Sequence, residues 1–291
     1  MKARRALLYV PGSDLHKIEK AVRLDVDGII LDLEDGVSAN RKDEARQIIA
    51  GALTTLDFGR SERIVRINPF YTGRAEADLA AVLPAGPETI IVPKVDSPSI
   101  LHRVDEILDQ AESTARRAKN SIEVIALIES AKAFVELKEI CQASIRLKGL
   151  ILGAEDLTAD AGMTRTPVGT ELLYARSMLA LYAAAYDLQA IDMVQTNFSD
   201  VERLTAEARQ AAELGYAGKQ VIHPAQIAPV QKVFTPDEAA IERAKRIIAG
   251  AEEAAAGGRG AFSLDGEMVD LPVIKRAQSI LTRARAAGIL D

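Results

Sequence analysis

GIILDLEDGVSANRKDEARQIIAGAL, residues 28–53, holds one complete unit of the fold. Its first residues, Gly28 to Leu31, form an apolar run without alternation, as in a strand covered on both faces, and the run stops at the charged cluster Asp32, Glu34 and Asp35. RKDEARQIIAGAL (41–53) then has helical spacing. The pattern recurs outward in both directions: ALLYV (6–10), RIVRIN (63–68), TIIVPKV (89–95), VIALIES (124–130), GLILGAE (149–155), IDMVQ (191–195) and KQVIHP (219–224) are strand-like, and segments such as AKAFVELKEICQA and DVERLTAEARQAAEL between them are helical. Strict alternation implies a parallel sheet. Eight units favour closure into a (β/α)8 TIM barrel over an open doubly wound sheet.

The chain of 291 residues agrees with that count, since such a barrel takes about 250 residues and leaves a short appendage. The Ala/Gly run AAAGGRG (254–260) marks the joint, which predicts a barrel over 1–256 and a C-terminal lid with a hairpin-like turn and one final helix over 257–291. Composition is 48% hydrophobic and 4% aromatic with no Trp, as expected for buried strands beneath Ala-rich helices. The 36 basic and 42 acidic residues give a formal charge of −6, which argues against a nucleic-acid partner held through a broad basic surface. The N-terminal MKARRALLYVPG carries too short an apolar run for a signal segment or membrane span, so the expectation is a cytoplasmic protein without a membrane partner. The single cysteine, Cys141, reads as a core thiol.

In a (β/α)8 barrel the chemistry sits at the C-terminal ends of strands. Ionisable or polar residues close five of the runs: Asp32, Glu34 and Asp35; Arg66 and Asn68; Lys94; Glu129; and Glu155 with Asp156. Any one acidic residue there is as readily a helix cap. Glu129 and Asp156 together are more than that, because adjacent strands bring both carboxylates over one mouth with room for an ion. Hard oxygen donors without a Cys or His cluster select Mg²⁺, with Mn²⁺ as the alternative. His16 and His102 fall in polar helical segments, and His223 reads equally as scaffold or catalyst. CxxC, HExxH, GxSxG and Walker A patterns are all missing, which removes zinc hydrolases, serine hydrolases and P-loop enzymes. Gly12 in the YVPG turn suggests a close backbone approach, and Lys17 is a candidate for contact with ligand phosphates.

These strand ends, in order, resemble the citrate lyase β-subunit-like lyases of the HpcH/HpaI aldolase superfamily, a group that includes malyl-CoA and citramalyl-CoA lyases. The resemblance rests on RRALLYVPG (4–12), GIILDLEDGVSANRKDEAR (28–46), VRINPF (65–70), ALIES (126–130), GAEDLTADAGMTRT (153–166), GKQVIHPAQI (218–227) and GEMVDLP (266–272). It implies Glu129 and Asp156 as Mg²⁺ ligands, Arg66 facing the substrate carboxylate and thioester oxygen, and Asp32, Glu34 and Asp35 supporting the arginine and the metal waters. Asp270 matches an aspartate that a neighbouring subunit's C-terminal lid delivers as acid/base. The implied partners are an acyl-CoA and a small keto acid, in a homo-oligomer, a trimer in keeping with the family, with shared active sites. IHP (222–224), where citrate lyase β subunits tend to carry VNP, moves the likeness towards citramalyl-CoA lyase.

Overall fold

The computed structural model describes residues 2–290. Eight parallel strands close on themselves in chain order: β1 (Ala6–Pro11), β2 (Gly28–Asp32), β3 (Glu62–Arg66), β4 (Thr89–Val92), β5 (Glu123–Ile128), β6 (Leu147–Leu152), β7 (Gln189–Asp192) and β8 (Gly218–Val221), with β8 pairing back to β1. Helices cross over between them: α1 (Leu15–Ala21), α2 (Lys42–Thr55), α3 (Ala75–Val82), α4 (Pro98–Thr114), α5 (Ala131–Val135), α6 (Leu137–Gln142), α7 (Ala154–Asp160), α8 (Leu173–Ala185) and α9 (Val201–Leu214). All eight runs read as strands in the sequence are strands of this barrel.

The strands lack apolar/polar alternation because both faces are covered. Leu7, Ile30, Ile64, Ile91, Ile125 and Ile151 belong to the cluster packed inside the barrel, while alternate residues such as Leu8, Ile29 and Val65 are also buried. Arg4 is buried just before β1 and bonds Glu62 through Nε at 2.8 Å and Nη2 at 2.7 Å, with Gln189 at 3.0 Å and Glu123 as further partners. Glu62, Glu123 and Gln189 open three different strands, so one guanidinium ties the N-terminal ends of β3, β5 and β7 together. That leaves the opposite ends of the strands for chemistry.

Residues 4–231 form one compact unit and residues 232–290, with 2–3, another; the division falls inside α10 (Ile227–Phe234). The second unit contains α11 (Glu238–Ala256), a hairpin of β9 (Phe262–Leu264) and β10 (Glu267–Val269), and α12 (Leu271–Ala286). Asp265 and Gly266 turn the hairpin with φ of +53° and +80°, the left-handed pair that suits a two-residue connection. Ile241, Ala244 and Ile247 of α11 share a core with Val269, Ala277, Leu281 and Ala284. The sequence boundary at 256/257 therefore differs from the compact division. The glycine-rich joint lies within the second unit, and a β-carbon at Gly250 would come within 2.5 Å of Phe262, so hairpin and α11 pack tightly. Among the described residues no helix is long and apolar enough to cross a membrane.

Candidate active site at the barrel mouth

A cavity of about 400 Å³ opens among the C-terminal strand ends and is lined by Asp32, Arg66, Glu129 and Asp156 together with Tyr9 and Gln220. Asp32 and Arg66 end neighbouring strands and are register partners. The carboxylate takes Arg66 Nε and Nη2 at 2.7 Å each, a bidentate pairing that fixes the plane of the guanidinium. The same oxygens also accept from the backbone N–H groups of Glu34 at 2.9 Å and Gly36 at 2.8 Å, so one side chain shapes the loop and holds the arginine. A β-carbon at Gly36 would stand 2.6 Å from Asp32 Oδ2, which explains the glycine. Lys42 secures the loop from below, its buried ammonium donating to the Leu33 and Glu34 carbonyls at 2.6 Å each.

Arg66 has a second carboxylate neighbour in Glu34, 2.8 Å from Nη1, and its guanidinium carbon lies 4.7 Å from the centre of the Tyr9 ring. These anions raise the pKa of Arg66, against the opposing effect of burial, so the group is a permanent cation. Burial pushes the Glu34 carboxyl up to about 7 against the pull of Arg66. Its Oε2 meets Arg66 Nη1 as an ion pair, without the alignment of a hydrogen bond. Asp35 lines the cavity but is exposed, 4.0 Å from Arg66.

Glu129, at the end of β5, is 3% exposed. Burial, and then the charge of Glu34, push its carboxyl up to about 8. Gly153 makes space for it, since a β-carbon there would approach Glu129 Cβ to 2.4 Å. Asp156 sits in the first turn of α7, half-exposed, and is joined to Glu129 through Lys94: the ammonium is 2.5 Å from Asp156 Oδ1 and 3.8 Å from Glu129 Oε1. Glu155 is drawn instead to Arg165 at 3.0 Å.

The HpcH/HpaI aldolase/citrate lyase family matches residues 5–224. The chain belongs to that family. As a member of this aldolase/citrate lyase family it is a lyase. It is 39% identical over 290 residues to citrate lyase subunit beta of Leuconostoc mesenteroides subsp. cremoris, covering 100% of this chain and 96% of that one. Against the mitochondrial citramalyl-CoA lyase of Rattus norvegicus it is 40% identical over 291 residues, covering 97% and 86%. The fold superposes with a TM-score of 0.77 and 35% identity on protein CitE of Mycobacterium tuberculosis, solved in complex with magnesium, acetoacetate and coenzyme A, with 97% and 98% of the two chains covered.

The donor set at the mouth fits a magnesium ion. Among the described residues no group of three or more His, Cys, Asp or Glu is placed to hold a metal ion by itself. Mg²⁺ needs no such cage, because it keeps several waters and takes one or two carboxylates. Lys94 provides the test: a cation already stands between Glu129 and Asp156, within reach of both.

Other sequence candidates lie elsewhere. The close approach expected at Gly12 is met within the chain, where its N–H donates to Asp32 O at 2.8 Å and a β-carbon would strike Ile49 and that carbonyl. Lys17 is exposed and paired with Asp14 at 3.4 Å, apart from the residues lining the cavity. His223 caps a short turn, its Nδ1 accepting from Ala225 N at 3.1 Å while the ring stacks on Phe198. That is the scaffold alternative. Asn68 serves Asp78 through its backbone N–H and its side chain at 2.7 Å each. Asp270 belongs to the second unit, where its side chain caps α12 by accepting from Val273 N at 3.3 Å. Cys141 is buried, and burial pushes its thiol up to about 12.

Two members of the site carried no mark in the sequence reading. Tyr9 shares the inward register of Leu7, the one signal available for it, and bonds Gln220 Oε1 at 3.0 Å. Gln220 in turn donates to the carbonyls of Leu152 and Asp192 at 3.0 Å each, tying β8 to β6 and β7 at the cavity rim.

Proposed function

We propose that the protein is a magnesium-dependent acyl-CoA lyase that cleaves (3S)-citramalyl-CoA to acetyl-CoA and pyruvate and runs the reverse condensation. The observation that carries this reading is the arrangement in one cavity of a clamped arginine and a carboxylate pair suited to a hard cation. The citramalyl-CoA lyase relative and the coenzyme A complex of the similar structure support the substrate class.

Cleavage removes the hydroxyl proton, breaks the bond between the hydroxyl carbon and the thioester α-carbon, and leaves the electron pair as a thioester enolate. Glu129 and Asp156 would hold the magnesium ion, which when bound would supply Lewis acidity towards the keto-acid oxygens. Arg66 hydrogen-bonds the thioester oxygen as it gains charge, a contact that strengthens in the transition state. Because Asp32 and Glu34 hold the guanidinium beforehand, little reorganisation is needed when that charge develops. Asp270 of a neighbouring subunit protonates the terminal carbon in cleavage and removes a proton from acetyl-CoA in condensation. Arg66→Lys keeps the charge but loses the bidentate lock on Asp32, and kcat is expected to fall about 10²–10³-fold in steady-state cleavage assays. Unchanged kcat would remove Arg66 from the oxyanion role.

The choice of pyruvate rests on the lining. Leu127, Leu152, Val194 and Ile222 offer apolar surface to a methyl group. Malyl-CoA, which releases glyoxylate, lacks the methyl group and forfeits about 1–3 kcal/mol of pocket contact. The test compares kcat/KM for citramalyl-CoA, malyl-CoA and citryl-CoA at saturating Mg²⁺. Citramalyl-CoA is expected to lead malyl-CoA by about 10-fold or more. A higher value for either competitor overturns the substrate assignment.

A further inference from the structure

Lys94 touches both carboxylates of the metal reading, by two different groups. Its backbone N–H donates to Glu129 Oε1 at 2.8 Å, and its ammonium stands 2.5 Å from Asp156 Oδ1. The residue has a φ of +52°, in the left-handed region that non-glycine residues enter at a cost and keep only where their surroundings impose it. Nothing about a β4–α4 connection requires a lysine there; a glycine would take the same turn freely. What the lysine adds is a positive charge inside a carboxylate group made of Glu34, Glu129 and Asp156, two of them buried.

Those carboxylates repel one another in a setting of low effective dielectric, and an ammonium at 2.5 Å from one and 3.8 Å from the other offsets that repulsion. A divalent ion held by Glu129 and Asp156 would have to compete with this ammonium for their oxygens. We propose that Lys94 is the resident counter-cation of the metal-free site and yields its place to the incoming divalent ion. Lys94 is then a positioning residue with two effects. It keeps Glu129 and Asp156 together before metal arrives, and it weakens metal binding by competing for the same oxygens. The inference rests on the reading of Glu129 and Asp156 as metal ligands.

The test is metal binding and thermal unfolding of the full chain, without turnover. Wild type, Lys94→Met and Lys94→Gly are titrated with Mg²⁺ by calorimetry and with Mn²⁺ by electron paramagnetic resonance, and each is melted in EDTA and in excess Mg²⁺. Lys94→Gly suits the left-handed backbone and so removes the ammonium with the turn preserved. Both variants are expected to bind Mg²⁺ about tenfold more tightly than wild type, a difference of about 1.4 kcal/mol, and to gain a larger rise in Tm on adding Mg²⁺. Equal or weaker metal binding in the folded variants overturns the counter-cation role. If wild type itself takes up no divalent ion, or takes it up equally after Asp156→Asn, the metal reading fails and this inference fails with it.

Discussion

Replacing Asp156 by alanine is expected to cut acyl-CoA cleavage by about 10³-fold or more, because a bound divalent ion contributes several kcal/mol of transition-state charge stabilisation at about 1.4 kcal/mol per factor of ten. Asp156 is half-exposed in the first turn of α7 and supports little packing, so the variant should fold with near-native Tm. Glu129→Gln removes the other proposed ligand and is expected to be as severe. It keeps the volume against Gly153, where the fit is tight. EDTA should silence the wild type, and added Mg²⁺ should restore it. Steady-state rates across a metal titration check all three results, and full activity of Asp156→Ala in metal-free buffer would contradict them.

Asp270→Ala should lower turnover by about 10²–10⁴-fold through loss of the acid/base at the terminal acetyl carbon. The alternative role is visible in the structure, since Asp270 caps α12, and losing a cap costs about 1 kcal/mol of stability. Asp270→Asn separates the two roles, because asparagine caps a helix as well as aspartate does but neither gives nor takes the proton. The proposed delivery to a neighbouring subunit gives a sharper result. Mixed oligomers of inactive Asp270→Ala and inactive Glu129→Ala subunits should regain partial activity, because some sites combine an intact aspartate with an intact metal pair. Mixed oligomers as inactive as either parent would place no catalytic Asp270 in trans. Within residues 232–290, α11 shares one core with residues of the hairpin and α12.

The barrel was legible because its signal is repeated: an apolar run covered on both faces, a charged stop, then a helical segment, eight times over. The same regularity marked Arg66, Glu129 and Asp156, each of which follows or ends a strand. Pairings across strands were legible only through the family resemblance, which joined Arg66 to Asp32, Glu34 and Asp35. Asp32 meets Arg66 because β2 and β3 align those two residues in register, and register is not written in either run alone. Lys94 was visible as a strand-end cation, but its backbone sign and its bridge to Asp156 depend on the turn after β4 and on a helix more than fifty residues away. Glycine marks a backbone need without saying what meets it; at Gly12 a close approach exists within the chain, where a β-carbon would strike Ile49 and the Asp32 carbonyl.

The most direct test of the central claim is product analysis of (3S)-citramalyl-CoA incubated with the purified protein and Mg²⁺. Acetyl-CoA and pyruvate in equal amounts, with neither formed in EDTA, are the predicted result. Free CoA with intact citramalate, the mark of thioester hydrolysis, or no turnover of this ester while citryl-CoA or malyl-CoA is cleaved, would contradict it.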